Sequence, residues 1–232
     1  MKQNLAPPAA PLLEAVCEEE TLESEREPEP VLTISLRYPK LTEERKGARR
    51  ISRYYQHMAE TLKARWKKEF YLAACADCTQ TRAISRPFEP WHASLDFSVT
   101  LLTPTLLSLT TTATERFQKG RPAVVLRGDT WELPGGMPVA LRSLYPDQKK
   151  WKNRLLHEIL DQGRTRLQRG ESLWYEDWET RAVRAFDPEH FYLTDENVVL
   201  FYPLCSIAPY LERFVTFSCP RPGVTLDPAS GA

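Results

Sequence analysis

The sequence predicts an α+β fold, in which an antiparallel β-meander sheet packs against a long N-terminal helix and a second helix. Apolar and polar residues alternate with period two between Trp91 and Leu101, which is typical of a strand with one buried face. After Thr42, apolar residues recur at three- and four-residue steps from Ile51 to Ala73, which indicates a long amphipathic helix. The order of strand, helix, meander, helix, hairpin and last strand favours α+β over a regular β/α alternation.

The N-terminal half supplies the first strand and the meander. Alternation over residues 31–38 predicts the first strand. A β-branched run over 106–114 and a further apolar segment over 122–127 continue the meander that begins at 91–101. Residues 128–129, Gly-Asp, are predicted to end that segment in a turn.

The C-terminal half supplies the second helix and a hairpin. Apolar residues at helical spacing over 151–160 predict the second helix, and a shorter helix is predicted around 179–184. Two apolar segments, 191–193 and 198–202, flank a Thr-Asp-Glu-Asn turn and predict a hairpin. Residues 214–219 form the last predicted strand.

The ends of the chain differ in composition from its middle. Residues 1–30 combine prolines with a run of glutamates, which predicts a disordered acidic tail because such a segment buries little apolar surface. The tail can serve as a partner-binding arm, or it can fold back onto a basic surface. Residues 31–219 are expected to form a single domain, followed by a flexible tail over 220–232.

Composition limits the classes of function. Lys and Arg together number 31, as do Asp and Glu, so no net charge favours nucleic acid or an acidic membrane surface. No apolar run is long enough to cross a bilayer, and residues 1–15 do not have the pattern of a signal peptide. Five cysteines leave one thiol unpaired in an oxidised protein, which favours a reducing compartment. A cytoplasmic protein is expected from the sequence as given.

The predicted long helix has a basic face, and a basic helix with aromatic residues can bind nucleic acid. Here the aromatic residues fall on the apolar stripe and the charges on the other face, so a solvated helix surface explains the pattern better. We therefore expect no nucleic-acid partner. The basic residues are Lys40, Arg45, Lys46, Arg49, Arg50, Arg53, Lys63, Arg65, Lys67 and Lys68.

Cys75-Ala-Asp-Cys78 has the spacing of a redox pair or of half a zinc site. Its position near a helix end is unusual for a dithiol active site. A complete zinc site would also need Cys205 and Cys219, or two histidines, from distant segments. The simpler interpretation is two neighbouring thiols on one helical turn, and no metal or other cofactor is expected.

No residues in the sequence have the spacing of a nucleophilic triad or a metal site. Glu176, Asp177 and Glu179 could supply paired carboxylates, and His190 precedes the predicted hairpin. An enzyme acting on cell-wall polymer, with Glu176, Asp177 and His190 as acid and base, is therefore an alternative to a non-enzymatic protein. An acidic run beside tryptophans is more often a solvated turn.

Three segments resemble the bacterial RsiV/PdaC-like proteins. The most specific is 191–210, where FYLTDENVVLFYP followed by IAPY is similar to the hairpin signature of DUF3298 domains. Residues 131–162 resemble the preceding strand and helix of that domain, and 31–71 resemble the opening strand and helix of DUF4163 segments. The resemblance divides the domain into a DUF4163-like part, 31–115, and a DUF3298-like part, 116–219.

The resemblance implies a bacterial, envelope-related protein that binds or senses another protein without catalysing a reaction. Members of the family include the lysozyme-binding part of RsiV and a segment of the deacetylase PdaC. The catalytic domain of PdaC is separate from that segment, and this chain lacks it. The resemblance implies a lysozyme-like partner, and it implies an extracytoplasmic location if the sequence lacks its leader. The sequence departs from the family pattern at two places that bear on partner recognition. Residues 113–120 lack the Tyr-x-Gly-Gly-Ala-His loop, and residues 204–206 and 211–213 differ from the family on either side of IAPY. The implied partner-binding residues are Tyr202, Pro203, Ile207, Pro209 and Tyr210.

Overall fold

The computed structural model describes residues 13–25, 28–145 and 149–222. The strands are β1 (Leu13–Glu23), β2 (Pro30–Leu41), β3 (Trp91–Leu102), β4 (Leu106–Arg116), β5 (Ala123–Glu132), β6 (Met137–Pro138), β7 (Phe191–Leu193), β8 (Asn197–Tyr202) and β9 (Val215–Pro220). The α-helices are α1 (Lys46–Arg65), α2 (Tyr71–Ala83), α3 (Trp151–Gln168) and α4 (Trp178–Arg184), with a π-helical turn at Trp66–Phe70 and 3₁₀ turns at Leu141–Leu144 and Tyr210–Glu212. The predicted α+β class is confirmed.

The large sheet has the strand order β1-β2-β3-β4-β5-β6. Every neighbouring pair is antiparallel except β2 and β3, which are parallel and paired from Leu32–Trp91 to Leu36–Leu95. Parallel neighbours require a crossover connection, and the continuous helix formed by α1, the π turn and α2 provides it. This helix packs on one face of the sheet and closes the first hydrophobic core.

The π turn at Trp66–Phe70 shifts the buried side of the long helix. A π turn adds one residue to the helix and changes the direction in which the following side chains point. Trp66 and Phe70 are both buried, and burial continues at Ala74 and Cys78. The expectation that Ala73 lies on the apolar stripe is wrong, because Ala73 is exposed.

The small sheet, β7-β8-β9, is antiparallel throughout, as the predicted hairpin and last strand require. α3 and α4 pack on it and close a second core around Ile159, Trp178 and Phe217. The helix α3 continues past Gly163, where an added Cβ would lie 2.2 Å from the ring of Trp178. The glycine therefore allows the close approach of the tryptophan ring.

Two details of the predicted meander are corrected. The expected turn at Gly128-Asp129 is wrong, because β5 passes straight through both residues. Gly128 is required there because a Cβ would lie 2.0 Å from the carbonyl oxygen of Phe191 in β7. A bulge between Val99 and Leu101 in β3 moves Leu101 to the second core, so Leu101 does not face the same side as Trp91.

The prediction of a disordered acidic tail is wrong for its described part, where β1 forms an edge strand of the large sheet. Glu18 and Glu20 contact Lys63 of α1 at 3.0 and 3.2 Å, and Glu20 also contacts Lys67 at 2.6 Å. The alternative that the acidic segment folds back onto the basic helix is thus confirmed. Residues 1–12 lie outside the described residues, as do residues 223–232 of the tail predicted over 220–232. Pro220, the first residue of that tail, belongs to β9.

A groove between the long helix and the sheet

The main candidate site is a groove between α1 and the β4–β5 end of the large sheet. We call it the α1 groove. Its volume is about 510 Å³, and it is open because α1 packs more closely on β2 than on β5. Its lining residues are Tyr54, His57, Met58, Thr61, Leu62, Arg65, Leu95, Thr111, Ala113, Val125 and Arg127.

The floor of the groove is a row of side chains across three paired strands. Leu95 of β3 pairs with Ala113 of β4, which pairs in turn with Val125 of β5. Burial falls along this row, since Leu95 is 3% exposed, Ala113 is half-buried and Val125 is 65% exposed. The apolar face of the sheet is therefore uncovered at its β5 end.

One end of the groove is fixed by a buried polar cluster. Tyr55 donates its hydroxyl proton to Asp129 Oδ2 at 3.2 Å and accepts a hydrogen bond from Trp131 Nε1 at 2.7 Å. Arg127 Nε donates to the other oxygen of Asp129 at 2.9 Å, and its guanidinium lies 5.7 Å from the centre of the Tyr54 ring. Both carboxylate oxygens are thus occupied, so the cluster holds Arg127 in place at the groove wall.

The environment of Tyr55 opposes ionisation of its hydroxyl group. Burial, and then the negative charge of Asp129, raise the pKa of the Tyr55 hydroxyl well above its ordinary value. The tyrosine therefore stays protonated and keeps its two hydrogen bonds. Its role is to position the aspartate and the tryptophan.

A basic surface continues from the groove along α1. It forms a second depression of about 950 Å³ that shares Tyr54 and His57 with the α1 groove. Within the described residues, Lys46, Arg49 and Arg53 form no ion pair with an acidic side chain. The lining residues of this depression are Lys46, Arg49, Arg50, Arg53, Tyr54, Gln56, His57 and Glu60.

The implied partner-binding loop, 202–210, is only partly at the surface. Tyr202 and Ile207 lie in the second core, and the Tyr202 hydroxyl donates to the carbonyl of Ala182. Pro203 is exposed, while Pro209 and Tyr210 are half-buried. Burial removes the first two side chains from direct contact with a partner.

Tyr210 links this loop to the large sheet. Its hydroxyl donates to the carbonyl of Pro122, just before β5, at 3.1 Å. The guanidinium of Arg121 lies 5.1 Å from the centre of the Tyr210 ring. The exposed part of the loop therefore borders the start of β5.

The Cys75 and Cys78 pair lies on α2, as two thiols on one helical turn. Cys78 is buried and donates to Glu29 Oε1 at 2.7 Å. Burial, and then that hydrogen bond, raise the pKa of the Cys78 thiol to about 11, which is opposite to the change that activates a nucleophilic cysteine. Across the described ranges no three metal-ligating side chains come together.

The acid and base candidates do not form one site. Glu176 is exposed, and Asp177 is exposed and bonded to Arg181, which lowers the pKa of the Asp177 carboxyl. His190 stacks on Phe201 with ring centres 5.1 Å apart. No described contact joins His190 to either carboxylate.

Sequence reasoning missed Tyr54, Arg127 and Asp129 as site residues. The alternation of Arg127, Asp129 and Trp131 on one face of a strand was available as a signal. The Gly-Asp pair pointed instead to a turn. In the part of the chain that the structure describes, no helix is both long and apolar enough to cross a membrane.

No protein-family model matches the sequence, and no curated protein matches it. A solved DUF3298 family protein from Bacteroides fragilis is similar in structure, with a TM-score of 0.65, 16% identity and 91% of each chain covered. A DUF3298 family protein from Pseudomonas aeruginosa PAO1 has a TM-score of 0.58 and 17% identity over 90% of each chain. The chain therefore has the fold of solved DUF3298 family proteins.

Proposed function

We propose that this protein is a non-enzymatic protein-binding or sensing domain of bacterial DUF3298 type, and that the α1 groove is its contact surface. The observation that carries the proposal is the uncovered apolar row ending at Val125, beside a positioned arginine. An open apolar surface with a polar rim is a common property of protein interaction sites. In this proposal residues 31–115 are the DUF4163-like part.

The chemistry of the other candidates favours binding over catalysis. The raised pKa of Cys78 opposes a thiol mechanism, and no described contact joins His190 to Glu176 or Asp177 as an acid–base pair would require. No observation favours the cell-wall enzyme as a second function. The exposed loop residues Pro203 and Tyr210 remain a proposed secondary contact, next to the start of β5.

The groove is tested with a peptide-display library of random sequences selected on the purified protein. We expect enriched peptides that bind the wild-type protein and lose about tenfold or more in affinity on Val125→Glu, because a carboxylate would stand on the apolar floor. Val183→Glu is the matched control, since Val183 is 48% exposed on α4 and lies outside the groove.

A result in which no enriched peptide distinguishes Val125→Glu from the control would overturn the groove as the contact surface. Purified lysozyme is tested in the same format, because the resemblance implies a lysozyme-like partner. Lysozyme binding that depends on Pro203 and Tyr210 but not on Val125 would move the proposed surface to the loop.

A further inference from the structure

The outer edge of β5 is open next to the α1 groove. β6 pairs with β5 only at Trp131 and Glu132. Within the described ranges, no other strand and no loop backbone hydrogen-bonds to the outer edge of residues 123–127. Unpaired peptide groups at a sheet edge can accept an additional strand from another polypeptide.

The register of the sheet indicates what such a strand would carry. The row Leu95, Ala113, Val125 ends at an exposed valine, so an apolar side chain opposite Val125 would complete it. The next row on the same face ends at Arg127, whose side chain is 55% exposed. A residue two positions away on the added strand would face this arginine.

The charge around the site is strongly one-sided. The lining of the α1 groove and of the adjoining depression together includes six Lys or Arg side chains and one acidic side chain. Arg65 and Arg127 also pair with Glu115 and Asp129 beside the lining, so the remaining excess of positive charge lies on α1. The whole chain is neutral, so the asymmetry is local. It complements an acidic ligand and opposes a basic one. The six cations are Lys46, Arg49, Arg50, Arg53, Arg65 and Arg127, and the acid is Glu60.

We propose that the α1 groove binds an extended acidic segment of a partner protein, which pairs as a strand with the outer edge of β5. An apolar side chain of the segment covers Val125, and carboxylates two positions away meet Arg127 and the basic rim of α1. This inference rests on the proposed function, and it adds the chemical class and the conformation of the ligand.

The floor of the groove favours a polypeptide over nucleic acid. Leu95, Ala113 and Val125 offer apolar contacts, and β5 offers peptide groups for a ladder of hydrogen bonds. Single-stranded nucleic acid is bound by cations along its phosphates together with exposed aromatic faces for its bases. The ring of Tyr54 is instead packed between Tyr55, Trp131 and Arg127.

The test uses three labelled peptides of about ten residues, long enough for one strand. The acidic peptide contains a central valine with glutamates two positions to either side. In the basic peptide lysines replace the glutamates, and in the neutral peptide glutamines do so. A single-stranded oligonucleotide of the same net charge as the acidic peptide is the fourth probe. Affinities are measured by fluorescence anisotropy, and contacts by backbone amide NMR shifts.

We expect the acidic peptide to bind at least about tenfold more tightly than the basic one, with amide shifts along residues 123–127. Raising the salt concentration should weaken this binding, because the rim is exposed to solvent. Arg53→Glu should reduce the affinity for the acidic peptide several-fold and leave that of the neutral peptide within about twofold. Val125→Glu should remove the binding of both peptides, while Val183→Glu should leave it unchanged.

The two proposals fail in different ways. Equal binding of all three peptides, with loss on Val125→Glu, would overturn the acidic class and leave the groove as the contact surface. Binding of the acidic peptide without shifts in β5 would overturn the added strand. Tighter binding of the oligonucleotide than of any peptide would overturn the polypeptide class. No Val125-dependent binding by any probe would overturn this inference, and the proposed function would then depend on the display selection alone.

Discussion

The two sheets of this protein differ in how the backbone groups at their edges are hydrogen-bonded. In the small sheet, the side chains of Gln162 and Arg166 on α3 donate to the carbonyl oxygens of Ser218 and Thr216 on β9, at 2.7 and 2.8 Å. Side chains from a helix thereby satisfy backbone groups along that edge. The large sheet has no such cover beside residues 123–127 of β5 in the described structure.

This difference indicates that separate regions of the protein contribute to stability and to binding. The small sheet and its helices form a closed core, whereas the large sheet combines a closed core under α1 with an open end. Substitutions in the small-sheet core should therefore affect folding, and substitutions at the open end should affect binding with little loss of stability. The binding side of this division is tested by the Val125→Glu and Arg53→Glu variants above, and the following predictions test its stability side, from the largest expected effect to the smallest.

Trp178→Ala should lower the free energy of unfolding by about 3–5 kcal/mol, because it removes a buried ring. Trp178 is 5% exposed, and the centre of its ring lies 4.8 Å from that of Trp174. Urea unfolding monitored by circular dichroism measures the loss. The control is Leu173→Ala, since Leu173 is 76% exposed and should change stability by less than about 0.5 kcal/mol. Similar losses in both variants would contradict the closed core.

Gly128→Ala should destabilise the junction between the sheets by about 1–3 kcal/mol or more. Its Cβ would lie 2.0 Å from a backbone oxygen of Phe191, which cannot rotate away as a side chain can. Gly135→Ala is the control, because the nearest atom to its added Cβ is 3.5 Å away. Thermal unfolding compares the two, and an unchanged Gly128→Ala protein would show that β7 is not held against β5.

Tyr55→Phe should cost about 1–3 kcal/mol, because it leaves Trp131 Nε1 without an acceptor and Asp129 Oδ2 without its tyrosine donor in a buried cluster. Tyr71→Phe is the control, since that hydroxyl donates to the Glu23 carbonyl at an exposed site. Urea midpoints compare the two variants. Equal costs would show that the cluster does not hold the groove wall.

The smallest effect concerns the attachment of β1. Hydrogen bonds to Lys63 and Lys67 lower the pKa values of Glu18 and Glu20 below their ordinary value of 4.5. The stabilisation is therefore present above the ordinary pKa and is lost as the pH falls through the lowered values. Since the pairs are exposed, the total should be about 1 kcal/mol or less.

Hydrogen exchange of β1 amides at pH 7 and in acid measures this loss. The Glu18→Gln and Glu20→Gln double variant should exchange faster than wild type at pH 7 and should respond less to acid. Glu19→Gln is the control, because Glu19 has no ion-pair partner among the described residues. A pH response that persists in the double variant would assign it to other groups.

The sequence predicted most of the elements through local periodicity. The alternation around Leu95 and the helical spacing around Ile51 both reflect one buried face, and the structure buries both residues. The hairpin at 191–202 followed from apolar segments around a polar turn. In each case the signal lies within about ten neighbouring residues.

The sequence failed where a distant contact decides the local structure. Glutamates in β1 are stable in a strand because β2 supplies the hydrogen-bond ladder, and Lys63 of α1 and Lys67 of the π turn supply the opposite charge. Gly128 looks like a turn residue until the backbone of Phe191 is placed against it. The groove also depends on such placement, since α1 contacts β5 at Asp129 and Trp131 but leaves Val125 exposed.

The position of β1 has a practical consequence for experiments with this protein. β1 and β5 are four strand intervals apart, which is about 19 Å at the usual spacing. A surface or fluorophore attached at the start of β1 is therefore joined to the chain at the side of the sheet away from the open edge. Immobilisation at that position should leave the α1 groove facing the solution, which makes it the preferred orientation for the binding measurements described above.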